Sequence, residues 1–262
     1  MSAGAQNGLI RSVSLSKEYL SRDGKRILAL DDISFSIDEG QFVSVVGPSG
    51  CGKSTLMKII AGLVPPTRGE IFLNGSRVTG ARSDVGVVFQ GAVLLPWRTV
   101  LENVLLPIEI QKKSKAQYLE RAYELLDLVG LREFAEKYPF ELSGGMQQRN
   151  SITRALIHDP QTLLMDEPFG ALDAITREHM NIELLRIWQV SGKTVLFITH
   201  SIPEAVFMSD RVIVLSGRPG RIVDDILIDL PRPRTLELMS DPEFGRLSTH
   251  LRRVLNVEGR TD

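Results

Sequence analysis

Cysteine is nearly absent from the 262-residue sequence: Cys51 stands alone. A single thiol excludes an intrachain disulfide and fits a reducing compartment, so the core has to hold the fold. Long apolar runs are also missing. The longest, VSVV, TVLFI and VIVL, fall far short of the ~18–20 residues that cross a bilayer. The opening MSAGAQNG is small and polar and lacks the apolar stretch of a secretory signal. Neither sign of charge is in excess, with 31 basic residues against 32 acidic ones, which leaves no electrostatic case for a nucleic-acid binder. Together these absences predict a soluble cytosolic protein whose membrane role, if any, runs through a partner.

The length allows one large α/β domain or two lobes around a shared core. The first third carries short β-like runs, VSLSKEY, DISFSI, QFVSVVG and EIFLNG, separated by RDG, DEG and PPTRG. Helical spacing takes over between 100 and 158, where Leu119, Ala122, Leu126 and Val129 share a face and Gly130 supplies a stop. Two buried-strand runs follow, QTLLMDE at 161–167 and TVLFITH at 194–200. The helix between them is expected to bury Ile175, Ile182 and Leu185. This alternation predicts parallel pairing with helices on the sheet's faces. The expected organisation is a disordered 1–7, an α/β domain over 8–230 with a helical sub-lobe at about 91–158, and a short helical extension over 231–262. In that extension, Ser240-Asp241-Pro242 starts a helix whose apolar face is Phe244, Leu247, Leu251, Val254 and Leu255.

The stretch GPSGCGKST, with Gly47, Pro48, Ser49, Gly50, Cys51, Gly52, Lys53, Ser54 and Thr55, matches a phosphate-binding loop. The strand QFVSVVG precedes it, and Leu56, Ile59, Ile60 and Leu63 predict a helix behind it. Glycines let backbone N–H groups curl around phosphate oxygens, and the helix N-terminus adds partial positive charge. Lys53 is then expected on the β- and γ-phosphates of ATP, and the Ser54 hydroxyl on Mg²⁺. Asp166 and Glu167 close the apolar strand QTLLM, at the edge where parallel sheets bind ligands. Asp166 is expected to hold Mg²⁺, and Glu167 to take a proton from the attacking water. Gln90 follows VGVVF and His200 closes TVLFITH. Each means little alone, but the same sheet edge would bring Gln90 to Mg²⁺ or the attacking water, and His200 to the γ-phosphate.

A second glycine-rich stretch, LSGGMQQR at 142–149, has no lysine and follows no strand, so it is not a second phosphate loop. Ser143 can cap the helix that runs to Asp159-Pro160, and Gly144 and Gly145 leave its first turn bare. The product is an exposed, partly positive tip with no phosphate of its own.

With GPSGCGKST, Gln90, LSGGMQQR, LLMDEP, the ALD of 171–173 and His200 in order, the chain resembles the ATP-binding subunits of ABC transporters over about 8–230. The resemblance implies an α/β P-loop NTPase core: a mixed, mostly parallel sheet with an antiparallel portion and an inserted helical subdomain. It also implies a head-to-tail pairing with a second ATPase subunit, another copy of this chain in the simplest case. Ser143, Gly144 and Gly145 would complete the ATP site of that partner, Asp173 would communicate across the interface, and Tyr19 would stack on adenine. A single phosphate loop argues against the duplicated translation factors of the family, and the lack of sustained heptads against its DNA-repair members. The alternative of a soluble mechanical ATPase on DNA or ribosomes is therefore the weaker one.

What is left is a subunit attached to an integral membrane permease of a bacterial importer, on the cytoplasmic face of the inner membrane. LLPWRTVLENV and LSGRPGRIVDDILIDLPRPR are similar to the nitrate/sulfonate/taurine-type importer ATPases, in which a periplasmic solute-binding protein selects the substrate. Leu94, Leu95, Pro96 and Trp97 would form the permease contact. Asn150, Ser151 and Thr153 depart from the small apolar residues usual in relatives, which predicts altered packing behind the tip without loss of hydrolysis. A thiol reagent on Cys51 is expected to block nucleotide binding sterically.

Overall fold

The computed structural model describes residues 8–170 and 172–258, so the expectation for residues 1–7 and that for Ala171 lie outside the described residues. Two compact units divide the chain: one runs to Arg82 and resumes at Thr194, and the other is Ser83–Lys193. The helical stretch expected at about 91–158 falls within the second unit, which is longer at both ends.

In the first unit, β1 (Ile10–Leu20) and β2 (Arg26–Ile37) form an antiparallel hairpin, which β4 (Arg68–Leu73) and β5 (Ser76–Arg77) extend in the order β2-β1-β4-β5. Its strands follow the period of two that puts alternate side chains on one face. Ile33, Phe35 and Ile37 are buried, and Ser34 between them is exposed. A second group runs β10 (Ile222–Leu227), β9 (Arg211–Leu215), β3 (Phe42–Val46), β8 (Thr194–Ile198), with β3 parallel to both β8 and β9. Every residue of β3 and β8 is buried, as expected for parallel strands covered on both faces. Each large side chain buried there contributes about 1.5–3 kcal/mol. The one polar residue of β3, Ser44, shares a hydrogen bond with the equally buried Ser209.

Helix α1 (Lys53–Ile60) follows β3 and buries Leu56, Met57, Ile59 and Ile60. Leu63, expected on that face, lies past the helix and is half exposed. Helix α6 (Ile202–Met208) links β8 to β9, and α7 (Pro242–Glu258) buries Phe244, Leu247 and Leu251. Arg234, in the proline-rich segment before α7, is buried and donates to the carbonyls of Val206, Phe207 and Ser209 at the end of α6. It also reaches those of Ile228 and Leu230. Burial pushes its guanidinium down to about 10, with the charge of Arg232 adding to the shift and that of Asp210 opposing it.

In the second unit β6 (Val85–Val88) pairs parallel with β7 (Thr162–Asp166). Around them lie α2 (Val100–Ile110), α3 (Leu119–Leu128), α4 (Gly144–Leu156) and α5 (Ala174–Ser191). Gly130 takes a positive φ just past α3, as a stop signal should. α5 corrects the sequence reading: Met180, Leu184, Leu185 and Ile187 are buried while Ile175 is 69% exposed. At 3.6 residues per turn, the Met180–Leu184–Ile187 stripe lies roughly opposite Ile175. Among the described residues, no helix is long and apolar enough to cross a membrane.

Candidate functional site

Register places the loop residues. Val45 of β3 lies beside Ile198 of β8, and Val46 beside Val214 of β9. Gly47 and His200 therefore emerge together at one edge, and Ser216 follows at the end of β9. A Cβ on Gly47 would meet Cys51 Sγ at 2.8 Å and the Leu215 carbonyl at 2.9 Å. Gly52, at φ 104°, turns the chain into α1, whose N-terminus no side chain caps. That uncapped end suits a phosphate, for which a helix N-terminus offers N–H donors and positive dipole. Lys53 is buried, and its ammonium folds back to donate to the carbonyls of Gly47 at 2.8 Å and Pro48 at 3.0 Å.

The Tyr19 hydroxyl lies 3.5 Å from Thr55 Oγ1 and its ring is part exposed, so an aromatic face borders the loop. Cys51 is buried, and burial pushes its thiol up against the partial relief that Lys53 gives. Reagents are thus slow to reach it, and reaction there needs the loop to open.

The second unit carries the acidic pair. Val88 of β6 lies beside Met165 of β7, which brings the positions two residues further on, Gln90 and Glu167, together. Gln90 Nε2 donates to Glu167 Oε2 at 3.4 Å. Asp166 is the buried last residue of β7, and Glu167 takes the left-handed φ of 44°. A non-glycine residue held there is strained, a condition that persists where surrounding structure over-determines it and that clusters at active sites. Ser54 at the start of α1 and, in the second unit, Asp166 at the end of β7 each carry a hard oxygen donor of the kind Mg²⁺ prefers. Among the described residues no cluster of three or more His, Cys, Asp or Glu exists.

At the start of α4, Ser143 Oγ accepts the Met146 N–H at 3.3 Å. A Cβ on Gly144 would meet nothing within 4 Å, and one on Gly145 only Thr176 and Leu172 at ordinary contact distances of 3.5 and 3.7 Å. Neither glycine has a positive φ. Nothing inside the described chain requires them. The tip borders a cavity of about 510 Å³ that Asp173, Thr176 and His179 of the α5 end also line. Asp173 caps α5 by accepting the Thr176 N–H at 3.0 Å, and the Thr176 hydroxyl, with that N–H second, holds its carboxyl below the usual carboxylate range.

Behind the tip, Ser151 and Thr153 turn their hydroxyls onto the carbonyls of Gln148 and Arg149. Buried Asn150 finds no partner for either amide atom among the described residues. The segment 94–99 is organised by a residue whose role sequence reasoning missed, Asn103. Its fully buried amide accepts from Leu95 N at 2.8 Å and donates to the carbonyls of Leu95, Arg98 and Thr99 at 3.2, 3.1 and 2.9 Å. Leu94 and Leu95 are half-buried, Pro96 is exposed, and Trp97 is 70% exposed. Arg154 of α4 adds bonds of 2.7 and 2.9 Å to the carbonyls of Val93 and Ala92. Helix α4 thereby holds the segment that follows Gln90.

A phosphate loop between a buried parallel strand and an uncapped helix, with an Asp-Glu pair ending another buried strand, defines a P-loop ATPase. The family model described as ABC transporter matches residues 30–170. The chain belongs to the ABC transporter family, as an ATP-binding subunit whose hydrolysis is coupled to transport. It is 47% identical to the taurine import ATP-binding protein TauB of Rhizobium johnstonii, over 91% of this chain and 93% of that one. It is 45% identical to the nitrate import ATP-binding protein NrtD of Synechocystis, over 92% of each. Among solved structures it is similar to a dimeric ATP-binding cassette in a post-hydrolysis state bound to ADP and Pi. That likeness has a TM-score of 0.74 at 34% identity, covering 85% of this chain and all of that one.

Proposed function

We propose that the chain is the ATPase of a bacterial importer for nitrate, taurine, a sulfonate or a related small solute, and that it works as a head-to-tail dimer which ATP closes. One observation carries the dimer. Gly144 and Gly145 are required neither by backbone conformation nor by packing, yet they keep a helix N-terminus bare. A phosphate held by a second subunit gives that tip its use. The similar cassette with ADP and Pi is dimeric, and the relatives named for taurine and nitrate import support the solute class.

In this reading Lys53 leaves the carbonyls of Gly47 and Pro48 for the β- and γ-phosphates, and Tyr19 stacks on adenine. Ser54 and Asp166 would hold Mg²⁺, which would supply neutralisation of phosphate charge. Glu167 takes the proton of the attacking water, with Gln90 positioning it and His200 contacting the γ-phosphate. Ser143, Gly144 and Gly145 press on the partner's nucleotide while Asp173 faces the partner. Closure then follows from the higher affinity of ATP for the closed dimer than for the open one. Leu94, Leu95, Pro96 and Trp97 dock the permease, which places the subunit at the cytoplasmic face of the inner membrane and a periplasmic binding protein upstream of it.

The decisive test is Glu167→Gln with MgATP in size-exclusion chromatography. The variant should lose at least about a hundredfold in turnover and elute as a dimer that persists while ATP does. A variant that binds ATP and stays monomeric overturns the proposal. Purification in detergent should bring down a hydrophobic permease; recovery with ribosomes or DNA instead would favour a mechanical ATPase.

A further inference from the structure

The turn SGRPGR at 216–221, between β9 and β10, has no part in the mechanism above. It is closed internally: Ser216 N–H donates to the Arg221 carbonyl at 2.8 Å, and Ser216 Oγ accepts the Arg221 N–H at 2.9 Å. It is also anchored to β2. Gly220 N–H donates to the Ala29 carbonyl and Asp31 N–H to the Gly220 carbonyl, each at 3.0 Å. Arg221 pairs with Asp31 at 2.6 Å. The turn then lies directly on the phosphate loop, since a Cβ on Gly220 would fall 2.1 Å from the Cys51 carbonyl oxygen.

From this fixed base Arg218 reaches over the loop. Its Nε and Nη2 donate to the Gly50 carbonyl at 3.3 and 3.2 Å. The C=O and N–H of a trans peptide point in opposite directions. A cation holding the Gly50 carbonyl therefore turns the next N–H, that of Cys51, the other way. Among the described residues it meets only the Pro48 carbonyl there, at a long 3.3 Å, a bond that a phosphate oxygen can replace. Gly50 itself sits at φ 76°, a conformation this contact helps to hold. Arg218 is exposed and pairs with no carboxylate among the described residues, so its charge stays uncompensated beside the loop.

We infer that Arg218 is a positioning residue for the nucleotide phosphates: it orients the Gly50–Cys51 peptide and adds a cation beyond Lys53. The inference rests on the phosphate loop being the ATP site. It is tested on the full chain by calorimetric titration with MgATP and by steady-state hydrolysis. Arg218→Ala should weaken MgATP binding about tenfold and raise KM in step, with kcat at saturation changed by less than about twofold. Arg218→Lys, which keeps a charge and a donor, should recover binding to within about threefold of the parent. Unchanged affinity in Arg218→Ala overturns the inference, as does a loss of kcat at constant KM. So does an Arg218→Lys variant as weak as Arg218→Ala, or a loss of affinity explained by a fall in Tm. Failure of the parent protein to bind MgATP, with Lys53→Ala indistinguishable from it, would instead refute the ATP site itself.

Discussion

At the scale of single residues, Glu167 and Asn150 are both costly to the fold, for opposite reasons. Glu167 is held at φ 44° where glycine would be at ease, and its carboxylate is the proposed base. Glu167→Gly should therefore abolish hydrolysis while leaving thermal stability equal or higher, since backbone strain of about 1 kcal/mol is released. Asn150 has no such use in view. Each orphaned buried polar group costs about 1–3 kcal/mol, and alanine is the best helix former. Asn150→Ala should accordingly raise stability by about 1 kcal/mol in chemical denaturation, after the loss from the small cavity it leaves. The phosphate-loop residues, Glu167 and Ser143 were legible in the sequence because their chemistry demands particular residue types at fixed spacing. The pairing of Gln90 with Glu167 was legible only as far as strand register could be guessed. Asn103 and Arg218 were not, because their bonds go to backbone carbonyls, which leave no trace in the identity of the residues they serve.

At the scale of elements, the segment 94–99 shows how a loop becomes a firm surface. Thr99 and Glu102 cap the start of α2 reciprocally, at 3.2 and 2.9 Å, and Arg98 grips Glu109 on the same helix with bonds of 2.7 and 3.0 Å. Arg98 and Lys115 hold the Glu109 carboxyl down to about 2 against an ordinary 4.5. A depressed carboxylate contributes stability above its unfolded pKa and loses it as pH falls through the folded value. The difference in Tm between the parent and Glu109→Gln should thus be constant above about pH 5. It should shrink from pH 4.5 and disappear near pH 2. The strands and helices themselves were read well where burial was one-sided or complete. The error on α5 was to set Ile175 on one face with Ile182 and the buried Leu185, without asking whether Met180, Leu184 and Ile187 made the better stripe.

At the scale of the whole molecule, the C-terminal extension is tied to its own unit by a buried cation. Arg234 satisfies carbonyls at the end of α6 and beyond β10, and α6 begins just after His200. Arg234→Met would strip these carbonyls of their donor and should lower unfolding stability by about 3 kcal/mol or more. The bare glycines of α4 have a different reach. Because nothing among the described residues needs them, a bulky acidic residue at 144 should spare the fold yet, in the proposed dimer, ruin the neighbour's pocket. A protein with Lys53→Ala has the reverse defect. Stirred together, two such inactive populations should exchange subunits and regain hydrolysis, since every mixed pair assembles one pocket from the sound half of each mate.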